Sequence, residues 1–334
     1  MSESSFNWPI VGNQPITDFL QTSLENKNTA QAYLFYGPAH LGKTTVANLF
    51  VRSLFCQDAN RPCFVCQACR AIENNIHPEV IWLNRLTDEK TGKVKKNITI
   101  EQVRGLIQKL NLHSFSDSFK VAVIENANHL SLEAANALLK TLEEPNARTV
   151  IILLADNINT LPKTILSRCL KLKFLPVTDQ LIEKHLGSLK VETKKAKRLT
   201  ALAFGRPGLA IDFAASQDLY QDYSELAKEI VGLSAKSLAE RFSAVTDFLA
   251  TKNTQEINQL LNLFEKLWRD ALLTKFETVG LVAHSYLNGE LTTLAGRYNA
   301  KQIVKIIESI KQTKMFLAAN VNSKLALENL VLNF

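Results

Sequence analysis

One strand–loop–helix phrase restricts the folds open to this chain. The apolar run Ala32-Tyr-Leu-Phe-Tyr36 leads into Gly37-Pro-Ala-His-Leu-Gly-Lys-Thr44, and a helical pattern follows from Thr44 to Phe55. Gly37 and Gly42 let the backbone curl so that its N–H groups point inward at phosphate oxygens. Lys43 then reaches the terminal phosphates, and Thr44, with Thr45 beside it, offers a hydroxyl to Mg²⁺. A loop of this kind needs a strand before it and a helix after it, which is the unit of a parallel sheet.

The rest of the first half keeps that alternation. Val80-Ile-Trp-Leu83, Lys120-Val-Ala-Val-Ile124 and Val150-Ile-Ile-Leu-Leu154 read as further strands, and Ile100–Leu112 and Ser131–Glu144 as helices. Ser131 supplies an N-cap and Pro145 a stop, with Leu138, Leu139 and Leu142 on the core side. After Phe174-Leu-Pro176 the strand-like runs end. Helical spacing then takes over, as in Leu260, Leu261, Phe264 and Leu267, and again in Ile303, Ile306, Ile307 and Ile310. The expected fold class is α/β: a parallel-sheet nucleotide-binding domain over 1–175, a small helical domain over 176–215 closing near Gly205-Arg-Pro-Gly208, and a helical domain over 216–334.

A chain of 334 residues exceeds one ordinary compact core, so more than one domain is expected. No apolar run approaches the roughly 20 residues of a membrane helix, and the N-terminus lacks a charged-then-apolar signal, so the expectation is a cytoplasmic protein with no membrane partner. The net charge of +7 suits an anionic partner such as nucleic acid, but the positive residues are dispersed. The local cluster Lys90, Lys93, Lys95 and Lys96 reads as a solvated hairpin loop around Thr91-Gly92.

Cys56, Cys63, Cys66 and Cys69 lie in one short polar segment with the spacing C-x₆-C-x₂-C-x₂-C. Thiolates spaced in this way can surround one tetrahedral Zn²⁺, and four protein ligands leave no open position for water, so the expected metal is structural. Free core cysteines fit such a polar segment poorly. His77, which precedes Pro78, reads as a turn cap, while His113 and His129 fall on other elements; no Ser/His/Asp or Cys/His nucleophile arrangement is visible.

The ordered set of motifs, above all Asn136-Ala-Leu-Leu-Lys-Thr-Leu-Glu-Glu-Pro145 and Ser167-Arg-Cys169, resembles the clamp-loader subunits of bacterial DNA polymerase III, of the AAA+ family, and most closely their delta-prime branch. The resemblance implies a RecA-like domain, a lid and an oligomerising collar. It also implies assembly with delta and tau/gamma subunits in a heteropentamer that loads the sliding clamp on primed DNA during replication, and a zinc module at the cysteine segment. In the motor subunits of that family the third strand ends in Asp-Glu, whereas here it ends Ile124-Glu125-Asn126. Glu125 remains a candidate for the metal shell, but Asn126 takes no proton, and loss of a general base costs ~10²–10⁴ in rate. The sensor position falls near Ala155, with Asp156 and Asn157 beside it, and the lid arginine aligns with Gly208.

Arg168 is implied to be an arginine finger given in trans to the adjacent tau/gamma site, while the chain's own ATPase is inactive and its occupancy by ATP and Mg²⁺ stays open. Lys140, Glu143 and Glu144 read either as solvated charges or as interface contacts. Two alternatives remain: an ATP-hydrolysing tau/gamma motor, or a stand-alone zinc-containing DNA-binding module.

Overall fold

The computed structural model describes residues 5–88, 92, 94–112, 118–251, 254–319 and 321–334. They fall into two compact units, one running to His185 and taking in Gly205–Leu209, the other formed by Leu186–Phe204 with Ala210–Phe334.

In chain order, the first unit contains β1 (Ser5–Phe6), α1 (Gln14–Glu25), β2 (Ala32–Tyr36), α2 (Lys43–Phe55), β3 (Asn60–Arg61), α3 (Gln67–Glu73), β4 (Val80–Leu83), α4 (Ile100–Asn111), β5 (Lys120–Ile124), α5 (Leu132–Glu143), β6 (Thr149–Ala155), α6 (Lys163–Leu166) and β7 (Leu170–Lys173). β1 and β3 form a short pair, and the main sheet has five parallel strands in the order β4-β5-β6-β2-β7. The four strands read from sequence are all present. The fifth, β7, has the sequence Leu-Lys-Leu-Lys and was not among the strands read from sequence. Charged residues on a short edge strand hide its strand character, and they also discourage stray pairing along that edge.

Side chains alternate across the sheet as strand geometry demands. Tyr33, Phe35, Val121, Val123, Ile152 and Leu154 pack with α1 and α2 on one face. Leu34, Ala122, Ile124, Ile151 and Leu153 pack with α4 and α5 on the other. Both faces are buried, which is why the central strands read as nearly continuous apolar runs. α5 is capped as its sequence indicates, with Ser131 Oγ accepting from Ala134 N at 3.1 Å. A capping box of Thr99 and Gln102 opens α4.

The second part of the chain is helical: α7 (Asp179–Ser188), α8 (Thr193–Ala203), α9 (Pro207–Ala215), α10 (Gln217–Leu233), α11 (Leu238–Thr251), α12 (Thr254–Lys275), α13 (Asn288–Arg297), α14 (Ala300–Ala318) and α15 (Ser323–Val331). Leu261, Leu267, Ile303, Ile306, Ile310 and Leu330 form the centre of the second unit's core. Within it lies a polar network. Asp270 and His284 are both fully buried, His284 Nδ1 stands 2.7 Å from Asp270 Oδ2, and Tyr223 Oη meets His284 Nε2 at 2.9 Å. The backbone N–H of His284 and the Arg269 guanidinium supply further donors to the same carboxylate. No described helix is long and apolar enough to cross a membrane.

Candidate functional site

The phosphate loop leaves the C-terminal end of β2, a central strand flanked by β6 and β7. This is the switch point of the sheet, where parallel α/β folds open a crevice for ligands. Gly37 has φ +140°, and a Cβ there would lie 2.4 Å from the carbonyl oxygen of Phe174, so only glycine passes β7's exit. Gly42 has φ +88° and begins the turn into α2. His40 also takes a left-handed conformation with φ +63°. Its carbonyl accepts from Gly208 N at 3.0 Å, and a Cβ on Gly208 would stand 3.0 Å from that oxygen. A large side chain at 208 would therefore need the loop to give way.

Thr44 and Thr45 are exposed at the start of α2, whereas Lys43 is buried. The Lys43 ammonium donates to Gly37 O at 2.6 Å, Pro38 O at 2.8 Å and Asp156 Oδ1 at 2.9 Å. The loop thus has the glycines, the lysine and the hydroxyls that a nucleotide phosphate requires, but its lysine is already paired within the chain.

At the end of β5, Glu125 accepts from Asn84 Nδ2 at 2.7 Å, and Asn126 Nδ2 donates to Asn84 Oδ1 at 2.9 Å. Burial raises the Glu125 pKa above the ordinary carboxylate value, and the Asn84 hydrogen bond partly offsets this. Asn126 sits at φ 53°, a left-handed conformation that asparagine tolerates better than most residues. The turn after β5 therefore gives Asn126 a local structural reason to be there, and it brings an amide rather than a carboxylate to the position.

The four cysteines of the polar segment converge, their sulfurs all lying within 4.8 Å of one another. Tetrahedral Zn–S bonds of ~2.3 Å would space the sulfurs about 3.8 Å apart, so the cluster fits one such ion after a small contraction. Backbone amides already point at the sulfurs: Cys63 N to Cys56 Sγ at 3.4 Å, Cys66 N to Cys63 Sγ at 3.3 Å, and Cys69 N to Cys66 Sγ at 3.5 Å. The amides of Val65 and Cys66 help bring the Cys63 thiol down to about 7, while burial pushes Cys56 and Cys69 up. His77 stays outside the cluster and caps the next turn, its Nδ1 accepting from Glu79 N at 3.3 Å.

Arg168 lies between α6 and β7, partly exposed beside an open depression of about 510 Å³ lined with Leu142, Glu143 and Ser167. Its guanidinium donates to Glu143, to Thr164 O at 2.9 Å and to Ser167 Oγ at 3.2 Å. Cys169 next to it is buried, and burial raises its thiol to about 12. Of the lysine cluster, Lys90 and Lys93 lie outside the described residues, as do Thr91 and His113, but an antiparallel bridge between Thr87 and Val94 supports the hairpin.

Sequence reasoning did not find the partners of Lys43 and Arg168 or the Asp270–His284 pair. Asp156 and Glu143 were visible as residues, but each is far in sequence from the cation it meets.

A family model described as DNA polymerase III, delta subunit, matches residues 12–178, and its C-terminal counterpart matches 217–334. The DNA polymerase III subunit delta' of Bacillus subtilis is 27% identical over 322 residues, 95% of this chain and 94% of its own length. That of Pseudomonas aeruginosa is 32% identical over 225 residues, 65% of this chain and 66% of its own. Subunit tau of Bacillus subtilis is 30% identical over 290 residues, covering 80% of this chain, which spans only 50% of that longer relative. Among solved structures, a gamma subunit-related protein of Thermotoga maritima aligns with 93% of this chain and 97% of its own at 18% identity and a TM-score of 0.36. With one model covering the parallel-sheet region and a second the helical C-terminal region, the chain belongs to the family of bacterial DNA polymerase III clamp-loader subunits.

Proposed function

We propose that this chain is the delta-prime subunit of its clamp loader, an accessory member that completes a neighbour's ATP site and turns over little or no ATP of its own. The observation that carries this reading is the end of β5, where Asn126 replaces the water-activating carboxylate and is tied to Asn84. The self-paired Lys43 and the side-chain-free Gly208 agree with it.

In this reading Arg168 enters the ATP site of an adjacent tau/gamma subunit. A guanidinium presents a planar fork of fixed charge and neutralises the charge that develops on a transferring phosphoryl group. The four cysteines hold one Zn²⁺ whose part is to fix the loop between α2 and α3. Residues 176–215 act as the lid and 216–334 as the collar that joins delta and tau/gamma, and primed DNA and the sliding clamp are met through the assembly. Nucleotide, where it binds, is held by the Gly37–Thr45 loop, with Glu125 beside the Mg²⁺ position; the chemistry it supplies is a transferable phosphoryl group.

The test is ATPase of a loader reconstituted with matching delta, tau/gamma and clamp, carrying Arg168→Ala in this chain alone. Turnover at the adjoining site should fall by ~10³ or more, and Arg168→Lys should recover little. Wild-type turnover with Arg168→Ala would remove the trans-acting role.

The likeness to subunit tau keeps a second reading in view, an ATP-hydrolysing motor. It requires the isolated chain to hydrolyse ATP at motor rates and to lose that activity in Lys43→Ala.

A further inference from the structure

We propose that Asp156 is a built-in stopper of the phosphate loop, a carboxylate that occupies Lys43 and keeps the chain's affinity for nucleoside di- and triphosphates low. The inference deepens the reading above, taking from it only that the loop is a nucleotide site.

An ammonium has three donors, and all three of Lys43's are in use, two on the loop's own carbonyls and one on Asp156. Lys43 is nearly out of solvent, with 8% of its side chain accessible, so its ammonium has little water to replace these partners. Asp156 is placed by the sheet. It follows the last residue of β6, whose carbonyl accepts from Gly37 N at 3.2 Å, so the loop and the stopper are fastened at adjoining backbone positions. Its own amide points at Asn128 Oδ1, 3.4 Å away.

A phosphate binding in the loop must take Lys43 from this carboxylate, and it then lies beside a group of its own charge. Both effects disfavour the anion, and neither involves the chemistry of hydrolysis. Asp156 is half exposed, so the pair can open and the penalty is moderate rather than absolute. Arg85 also feels the charge of Asp156, so neutralising it leaves Lys43 and Arg85 as a more strongly cationic surround. The residue is therefore an affinity determinant that sequence motifs for phosphate loops do not contain.

The experiment is an equilibrium titration of the full-length chain with a fluorescent ATP analogue and Mg²⁺, read as binding and not as turnover. Asp156→Asn keeps the shape and removes the charge, and should tighten binding about tenfold relative to the unaltered chain. Asp156→Ser gives a second variant of the same sense, and thermal melting confirms that each is folded. The double change Lys43→Ala with Asp156→Asn should lose the gain. Unchanged or weaker binding in both single variants overturns the proposal, as does a gain that survives Lys43→Ala. Because Asn126 remains, tighter binding should bring no ATPase. Tight binding accompanied by fast hydrolysis would instead overturn the accessory-subunit reading while leaving the stopper in place.

Discussion

Arg168 gives two of its donors, Nε–H and one of Nη2, to a single carboxylate oxygen of Glu143, 25 residues earlier in the chain. With Nη1 on Thr164 O and Ser167 Oγ, most of the guanidinium is engaged inside its own subunit. An arginine that serves a neighbour must first leave Glu143.

Glu143→Gln keeps the side chain's size and removes the charge, so it weakens that hold. Both groups are partly exposed, which limits the effect on folding to within ~1 kcal/mol. Clamp-independent ATPase of the reconstituted loader should rise about twofold to fivefold, since ~1 kcal/mol off the cost of extending the arginine translates into that range. The rise should vanish when Arg168→Ala is added. Rates unchanged by Glu143→Gln would mean that the pair has no part in positioning.

The cysteine cluster predicts about one Zn²⁺ per chain in protein purified under reducing conditions, measured by elemental analysis. Structural sites of this type contribute on the order of 10 kcal/mol in small isolated modules and less beside a larger core. Cys66→Ser should abolish stoichiometric metal and lower the melting temperature, yet leave the parallel sheet's circular dichroism largely intact. Metal-free wild-type protein would end the assignment.

Gly37→Ala tests the loop's exit from β2. Its φ of +140° and a Cβ 2.4 Å from Phe174 O leave no room for a methyl group unless β7 moves. The expected cost is ~1–3 kcal/mol, seen as a lower urea midpoint with an unchanged slope.

The buried pair in the helical unit makes a separate prediction. His284→Ala leaves the Asp270 carboxylate buried without its ring partner, at a cost of about 3–5 kcal/mol. Tyr223→Phe removes only the outer hydroxyl and should cost about 1 kcal/mol. Equal effects in chemical denaturation would show that the three groups do not form the hierarchy their geometry implies.

Much of the sheet unit was legible because its information is local. The run Ala32–Tyr36 before a glycine loop and the Ser131 cap before a leucine-bearing helix each specify an element from adjacent residues. The convergence of the cysteine segment was equally legible, since all four sulfurs come from one short stretch of chain. β7 was obscured by Lys171 and Lys173, which give an edge strand the look of a loop. The ion pairs escaped for another reason. Lys43 and Asp156 are separated by 113 residues, and nothing in the periodicity of either neighbourhood says that β2 and β6 lie side by side. Asp270 and His284 are closer, 14 residues apart, but a charged residue on a helix reads as a solvated face until burial is known.

The parallel register of β2 with β7 pairs Tyr33 with Leu170 and Tyr36 with Lys173. The phosphate loop departs beyond Tyr36, while Arg168 stands just ahead of Leu170, so the two sites occupy opposite ends of one strand pair. At ~3.3 Å per residue the sheet alone separates them by about 10 Å along its axis. A subunit that offers an arginine at one end and a loop at the other has a direction, like an arrow. If Arg168 serves one neighbour and the loop meets another, the contacts join unlike surfaces head to tail, and such contacts close into a ring when the rotation between members permits. The member on the arginine side would then be a different neighbour from the one on the loop side, and a defect at either end of the strand pair would be felt by only one of them.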